Sequence, residues 1–179
     1  MSIEKLSFTA DVDQIYKDLG EVLKATEWGA VNQIGLTFRP GAQDPYKDAT
    51  GSLFRDNKVM VSNEQEFTEI NERLPFYTNM ILREFAKFQR IKLGRVRFMR
   101  LMPKTGLTFH RDTTERYHLV IKTNIHSLLG FRTFKDDMVA GCYHLPKDGH
   151  FYKIDTTKFH FAYNAGDEER IHIVIVPRR

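Results

Sequence analysis

Arg170-Ile-His-Ile-Val-Ile-Val176 is the stretch on which the fold turns. Successive side chains of a strand point to opposite faces. Arg170, His172, Val174 and Val176 therefore share one side, and Ile171, Ile173 and Ile175 the other. Both sides are largely β-branched and apolar, which predicts a strand covered on both faces. The same texture runs back towards Gly94 in short alternating segments: Arg95–Met102, Arg116–Thr123, Leu129–Phe134, Met138–Leu145, His150–Ile154 and Lys158–Asn164. Turn residues separate them at Pro103–Gly106, Pro146–Gly149 and Asn164–Asp167. Many short strands spaced about 8–12 residues apart predict an antiparallel sandwich or jelly-roll barrel.

Upstream of Gly94 the period changes. Asp11 reads as a helix N-cap with Gln14 as its capping-box partner, and Val12, Ile15, Tyr16, Leu19, Val22 and Leu23 follow at helical spacing. Val31–Phe38 reads as a strand. Residues 40–57, rich in Gly, Pro, Asp and Asn, read as a long loop of the kind that closes over a substrate. Asn63 and Glu66 mark a second helix start. Pro75 sits in the first turn of a third helix, carried by Tyr77, Met80, Ile81, Glu84, Phe85 and Phe88 to Arg90. Trp28, Tyr77, Phe85 and Phe88 are expected in the core. Helices first and strands after predict a segregated α+β fold. For 179 residues, with about 150 per domain as the guide, one domain is expected. Within it, 1–92 would be helical support with one or two strands, and 93–179 the barrel.

Hydrophobic residues are 41% of the chain and charged residues 28%, which excludes a disordered chain. No apolar run approaches the roughly 18 residues of a membrane-spanning helix. The N-terminus lacks the basic-then-apolar order of a secretory signal. The single cysteine, Cys142, excludes an internal disulfide and a multi-cysteine zinc site, and is expected to be a buried, inert thiol in a reducing, cytoplasmic setting. A net charge of 27 − 23 = +4 permits an acidic partner without requiring one.

The chemistry sits in the half rich in strands, which holds all seven histidines. In Phe109-His-Arg-Asp112, His110 and Asp112 stand two residues apart, and in an extended chain such a pair points the same way. Adding a histidine from another strand gives two imidazoles and one carboxylate on one side of a metal, with the opposite positions open. That arrangement marks non-haem iron(II) oxygenases. Taken alone, the His-x-Asp pair is a weak signal and reads more simply as a turn in which Asp112 caps Thr113-Thr114. Arg170 adds a second signal, because a buried guanidinium needs an anion and its planar fork suits a carboxylate. That anion is either Asp167, Glu168 or Glu169, or a bound dicarboxylate. His160 lies 160 − 110 = 50 residues after His110, and Arg170 lies 170 − 160 = 10 after His160.

In this order, Phe98–Pro103, Thr108–Asp112, Arg116–Asn124 and Lys158–Val176 resemble the aspartyl/asparaginyl β-hydroxylase-like branch of the Fe(II)/2-oxoglutarate dioxygenases, which includes free-proline 3-hydroxylases. The resemblance spans residues 95–177. It implies a double-stranded β-helix with Fe(II) on His110, Asp112 and His160. It places the distal carboxylate of 2-oxoglutarate on Arg170, and the metal-proximal one near His118 with Arg116 beside it. It further implies that O₂ and 2-oxoglutarate are consumed to hydroxylate a C–H bond of an amino acid or peptide side chain. Met99 stands where some peptide-hydroxylating members carry a small polar residue. Arg100 is a candidate for a substrate carboxylate if the face it shares with Phe98 and Met102 points inward, and a solvated charge otherwise. His172 is expected inside the barrel, whereas His126, His144 and His150 fall near turns.

Two other classes compete. One is a metal-binding cupin-like module, an isomerase or small-molecule binder without oxygenase activity; Arg170 would have no purpose there. The other is a nucleic-acid-binding module built on the basic stretch Arg90–Arg100, which reads more simply as a strand with a solvated basic face. Nucleic acid and membrane are not expected as partners; a small molecule or peptide and O₂ are.

Overall fold

Helical spacing in the first half and alternation in the second are both realised in the computed structural model, which describes the chain apart from residues 1, 52–53, 56–57, 60–62, 133–138 and 179. The elements are β1 (Ile3–Thr9), α1 (Val12–Ala25), β2 (Gln33–Gly35), β3 (Thr37–Phe38), α2 (Pro45–Asp48), β4 (Phe54–Arg55), β5 (Lys58–Val59), β6 (Glu69–Ile70) and α3 (Phe76–Gln89). The strands β7 (Lys92–Leu101), β8 (Thr105–His110), β9 (Arg116–Lys122), β10 (Ser127–Arg132), β11 (Val139–Tyr143), β12 (His150–Ile154), β13 (His160–Asn164) and β14 (Arg170–Arg178) follow. Two antiparallel sheets carry the architecture, one ordered β1-β12-β9-β14-β7-β2 and the other β11-β10-β13-β8. They form separate ladders among the described residues and face each other across a cavity lined from both. No helix among the described residues is long and apolar enough to cross a membrane.

The core lies on the other side of the six-stranded sheet. Ile15, Leu19 and Val22 of α1, and Leu82 and Phe85 of α3, pack against Val96, Phe98, Leu119, Phe151 and the three isoleucines of β14. Phe85 stacks on Phe151 with ring centroids 4.1 Å apart, a burial worth roughly 1.5–3 kcal/mol for a phenylalanine. So β14 is covered on both faces, as its alternation requires: isoleucines meet the helices, and Arg170, His172 and Val174 meet the cavity.

Several local expectations change. Asp11 does cap α1, accepting from the N–H groups of Asp13 and Gln14 at 3.1 and 3.0 Å. The Gln14 side chain does not return the bond; it donates to Asp18, and the Asp11 N–H donates to the Tyr77 hydroxyl. Pro75 is the residue before α3 rather than its first turn, and it offers no side-chain cap. Asp18 supplies that cap from α1, accepting from the Thr78 N–H at 2.9 Å and hydroxyl at 2.7 Å. Asn63 opens one 3₁₀ turn, Glu64–Glu66, not a helix. Val31 and Asn32 have positive φ, so the strand expected from Val31 starts only at Gln33; it is also divided, at Leu36, into β2 and β3. Ile3–Thr9 forms an unexpected edge strand against β12, with Ile3 opposite Ile154. Phe88 is exposed while Phe85 is buried. Cys142 is exposed rather than buried, because β11 is an edge strand of the thinner sheet. Part of the 40–57 lid expectation falls outside the described residues. The part described, through Gly51, is fastened to β7: Arg95 donates to the carbonyls of Ala49 and Gly51 at 2.8 and 2.6 Å.

Candidate metal centre and its basic wall

Among the described residues β8 is an edge strand paired only with β13, and the register sets His110 directly opposite His160. Side chains that face each other this way are close neighbours, and the two rings lie 4.3 Å apart. The strand stops at His110; the Asp112 N–H donates to the Thr156 carbonyl at 2.8 Å, which turns Asp112 back towards the pair. Both imidazoles are oriented by the same local device. His110 Nδ1 is 2.7 Å from the Thr108 carbonyl, and His160 Nδ1 is 2.9 Å from the Lys158 carbonyl. A carbonyl can only accept, so each Nδ1 carries the hydrogen and each Nε2 lone pair is left free. His160 Nε2 stands 3.8 Å from Asp112 Oδ2, and donor atoms of all three residues lie within 4.8 Å of one another. Small side-chain rotations bring such a set to the about 2.0–2.2 Å of metal–N/O bonds. Two neutral imidazoles and a carboxylate suit a first-row divalent ion, so the residues present fit iron(II).

The facing wall is built from β7, β9 and β14, and it is basic. Arg170 is buried and pairs with no carboxylate among the described residues. The three acids considered for it are engaged elsewhere: Glu169 with Arg100 and Lys122, Glu168 with Lys122, Asp167 with Lys104. Its guanidinium lies against His172 instead, Nε 2.9 Å from Nε2 and Nη2 2.7 Å from Nδ1. His118 Nδ1 is 3.3 Å from His172 Nδ1. Burial, and then the charge of Arg170, pushes both histidines well below their usual range and keeps them neutral. Burial pushes Arg170 down to about 10, so it stays charged at neutral pH.

Arg116 holds the Oδ1 side of Asp112 at 3.3 Å and also bonds Thr114 and Glu64. Glu64, buried in its 3₁₀ turn, pairs as well with Arg95 at 3.4 Å and Arg97 at 3.6 Å. Sequence reasoning missed this hub, since a glutamate after a polar loop carries no signal of three arginines that arrive from β7 and β9. It also took Arg95 and Arg97 for a solvated basic face; they are buried, and burial lowers the pKa of each. Arg100 shares the face of Phe98, which points to the helices. It bonds Asn32 at 2.7 Å, pairs with Glu169 at 3.6 Å and lies 4.4 Å from the Trp28 ring, and it is also among the residues that line the cavity. His126, His144 and His150 line no part of the cavity. The cavity measures about 490 Å³, with the three candidate ligands on one wall and Arg97, Arg116 and Arg170 on the other.

This architecture is shared. The chain is similar to the non-haem α-ketoglutarate-dependent carbocyclase SnoK of nogalamycin biosynthesis over 99% of its own length and 79% of SnoK's, with a TM-score of 0.57 and 10% identity. At that identity the likeness is one of fold. A Pseudomonas putida prolyl-4-hydroxylase matches 57% of this chain and 64% of its own, with a TM-score of 0.38 and 13% identity. The capsular polysaccharide assembling protein CapF of Staphylococcus aureus matches 48% of this chain at 22% identity and a TM-score of 0.40; this chain spans 25% of CapF's length. No curated protein matches the sequence. The family model for aspartyl/asparaginyl beta-hydroxylase runs over residues 12–179, and so takes in α1, the Glu64 turn, all three candidate ligands and Arg170. A match of that extent, on a chain whose cavity sets a His-Asp-His cluster against a buried guanidinium, means that the protein belongs to the aspartyl/asparaginyl β-hydroxylase family.

Proposed function

We propose that the protein is a non-haem iron(II), 2-oxoglutarate-dependent dioxygenase that hydroxylates an unactivated C–H bond, most simply of an amino acid or a peptide side chain. The observation that carries this reading is the opposition, across one cavity, of the His110–Asp112–His160 cluster and the buried Arg170 guanidinium, which has no carboxylate partner among the described residues. Iron(II) held by those three residues supplies the oxidising chemistry with 2-oxoglutarate and O₂, leaving succinate and CO₂ as co-products.

The rest is the work of this chain's side chains. The Thr108 and Lys158 carbonyls hold both imidazoles in the tautomer that offers Nε2. Arg116 takes one oxygen of Asp112 and leaves the other facing His160. Arg170 grips a carboxylate with its planar fork. His172 fixes that guanidinium without cancelling its charge, which an acidic partner would do. Leu129, Ala162 and Val174 keep the cavity wall apolar between the two groups, which limits water near the reacting atoms.

Anaerobic titration with Fe(II) and then 2-oxoglutarate, followed by admission of O₂, tests the reading. One equivalent of each should bind, and succinate should form slowly alone and faster with a cognate substrate. Iron binding without 2-oxoglutarate binding would favour the metal-only module instead.

A further inference from the structure

We infer that Glu64 is a positioning residue for the metal centre: acting through Arg116, it keeps one oxygen of Asp112 available to the metal. The inference rests on the reading of His110, Asp112 and His160 as the metal's ligands.

One nitrogen stands between two carboxylates. Arg116 Nη2 donates to Glu64 Oε2, and the same atom lies 3.3 Å from Asp112 Oδ1. Its neighbour Nη1 donates to the carbonyl and the hydroxyl of Thr114. The backbone around Asp112 is pinned separately. Its N–H donates to the Thr156 carbonyl at 2.8 Å, and the Thr156 hydroxyl donates to the Thr114 carbonyl at 2.7 Å. The turn therefore fixes where Asp112 starts, and Arg116 decides which way its carboxylate faces. A guanidinium left with a single carboxylate is drawn to both of its oxygens in a forked pair. Asp112 would then offer a metal nothing until that pair was broken. Glu64 prevents this by claiming Nη2. Arg116 is left with one side of Asp112, and Oδ2 stays turned to His160 Nε2 at 3.8 Å.

Glu64 is itself held in place from three sides. Its other oxygen, Oε1, faces Arg95 at 3.4 Å and Arg97 at 3.6 Å. The 3₁₀ turn that carries it is capped by Asn63, whose Oδ1 accepts from the Gln65 N–H at 2.9 Å. Gln65 Nε2 ties the turn to β14 by donating to the Pro177 carbonyl at 3.2 Å. The turn seats against β7 at Gly94, where a Cβ would come within 2.8 Å of the Glu64 carbonyl and 3.1 Å of the Val176 carbonyl. A glycine inside a strand is what such a close backbone approach requires. The central strand thus gives up a side chain at the point where Glu64 reaches the guanidinium beside a metal ligand.

The test is titration of the metal-free whole chain with Mn(II). Electron paramagnetic resonance reads the free Mn(II), and circular dichroism at the same temperature reads the folded state. The wild type should bind one equivalent. Glu64→Gln should bind it about 10–100-fold more weakly, the usual loss when a group that orients a metal ligand is removed. Adding Arg116→Met should restore most of that affinity, because the guanidinium that closes on Asp112 is gone. Adding Arg97→Met instead removes the same charge from an arginine that pairs with Glu64 rather than with Asp112, and should restore little. Equal restoration by the two would reduce the effect to net charge. Restoration by neither would make Glu64 a purely structural residue. Either result overturns the proposal, as does an undiminished affinity in a folded Glu64→Gln. Where Glu64→Gln does not fold, Glu64→Asp decides, since it keeps the charge and withdraws the oxygens by one methylene. It should weaken Mn(II) binding, and an unchanged affinity would overturn the proposal. Failure of the underlying reading looks different: the wild type would bind no Mn(II), or Asp112→Ala would bind it as tightly as the wild type.

Discussion

The two sheets face one cavity and do opposite electrostatic work. The four-stranded sheet supplies the metal donors, His110 and His160 on β8 and β13, with Asp112 two residues past the strand end. The six-stranded sheet supplies the guanidiniums, from β7, β9 and β14. Their construction differs to match. The six-stranded sheet is backed by α1 and α3 and buries β14 on both faces. The four-stranded sheet leaves Leu107, Phe109 and Tyr163 about two-fifths exposed on its own strands. Burying cations takes a thick, dry wall and a shared carboxylate, here Glu64. Exchanging a metal and admitting a substrate takes a thin one, on which each histidine ligand is aimed by a carbonyl two residues away. Breaking the thin sheet's site should therefore cost chemistry, and breaking the thick sheet's network should cost the fold as well.

The largest effect expected is that of Asp112→Ala. Asp112 is partly exposed, so the metal-free variant should melt close to the wild type, having lost its contacts to Arg116 and His160. Turnover of 2-oxoglutarate should fall to background. Apo melting curves and succinate release on one preparation decide it. A clear loss of apo stability with turnover intact would show that the aspartate serves the fold and would erase the contrast between the sheets.

Glu64→Gln should come next, on the other wall. It removes the counter-charge of three buried arginines while keeping the shape of the side chain. Removing one partner of a buried pair costs about 3–5 kcal/mol. For a domain of this size that is a fall in melting temperature of roughly 6–20 °C. A near-normal melt would mean that water reaches the arginines and that the wall is not dry.

What the sequence disclosed follows the same division. β14 and β9 were legible because their alternation is long and strict, and His150–Ile154 coincides with β12 end to end. His110, Asp112, His160 and Arg170 were legible as an ordered set, since a strand fixes which neighbours share a face. The edges were not. β1 buries only Leu6 outright, so its alternation is faint. β8 hid behind a turn-like Pro-Lys-Thr-Gly; Gly106 is needed there, because a Cβ would meet the Ala162 carbonyl at 2.6 Å. The Glu64 network could not be read at all. Its partners lie 31 and 52 residues away for Arg95 and Arg116, and only the packed fold brings them together.

Arg170→Ala sharpens the contrast within the basic wall. It should raise the KM for 2-oxoglutarate by an amount equivalent to about 2–5 kcal/mol, the cost of losing one side of a buried charged pair, and leave iron affinity nearly unchanged. Because Glu64 does not touch Arg170, the apo protein should lose little stability, unlike Glu64→Gln. An unchanged KM for the co-substrate would remove Arg170 from the site and leave the metal cluster as its only support.

The smallest effect is one of pH, and it reports directly on whether the wall is dry. His118 and His172 are held neutral by burial and by Arg170, so their native pKa values lie well below the usual 6.5 of an imidazole. The unfolded chain takes up protons at both positions as pH falls through that value, and the native chain refuses them. Stability should thus be flat above neutral pH and should decline below about 6.5, by at most roughly 1.4 kcal/mol per pH unit for each histidine. His160, also pushed down by burial, adds a contribution of the same sign from the thin sheet, so the measurement is made on metal-free protein. Urea unfolding between pH 7.5 and 5.5 reads the slope. The double variant His118→Gln/His172→Gln should remove most of it and leave only the His160 share. A slope that survives the double variant in full would mean that these two imidazoles already protonate in the folded chain; Arg170 would then sit beside solvated charge, and the distinction between a dry cationic wall and a wet metal wall would fail.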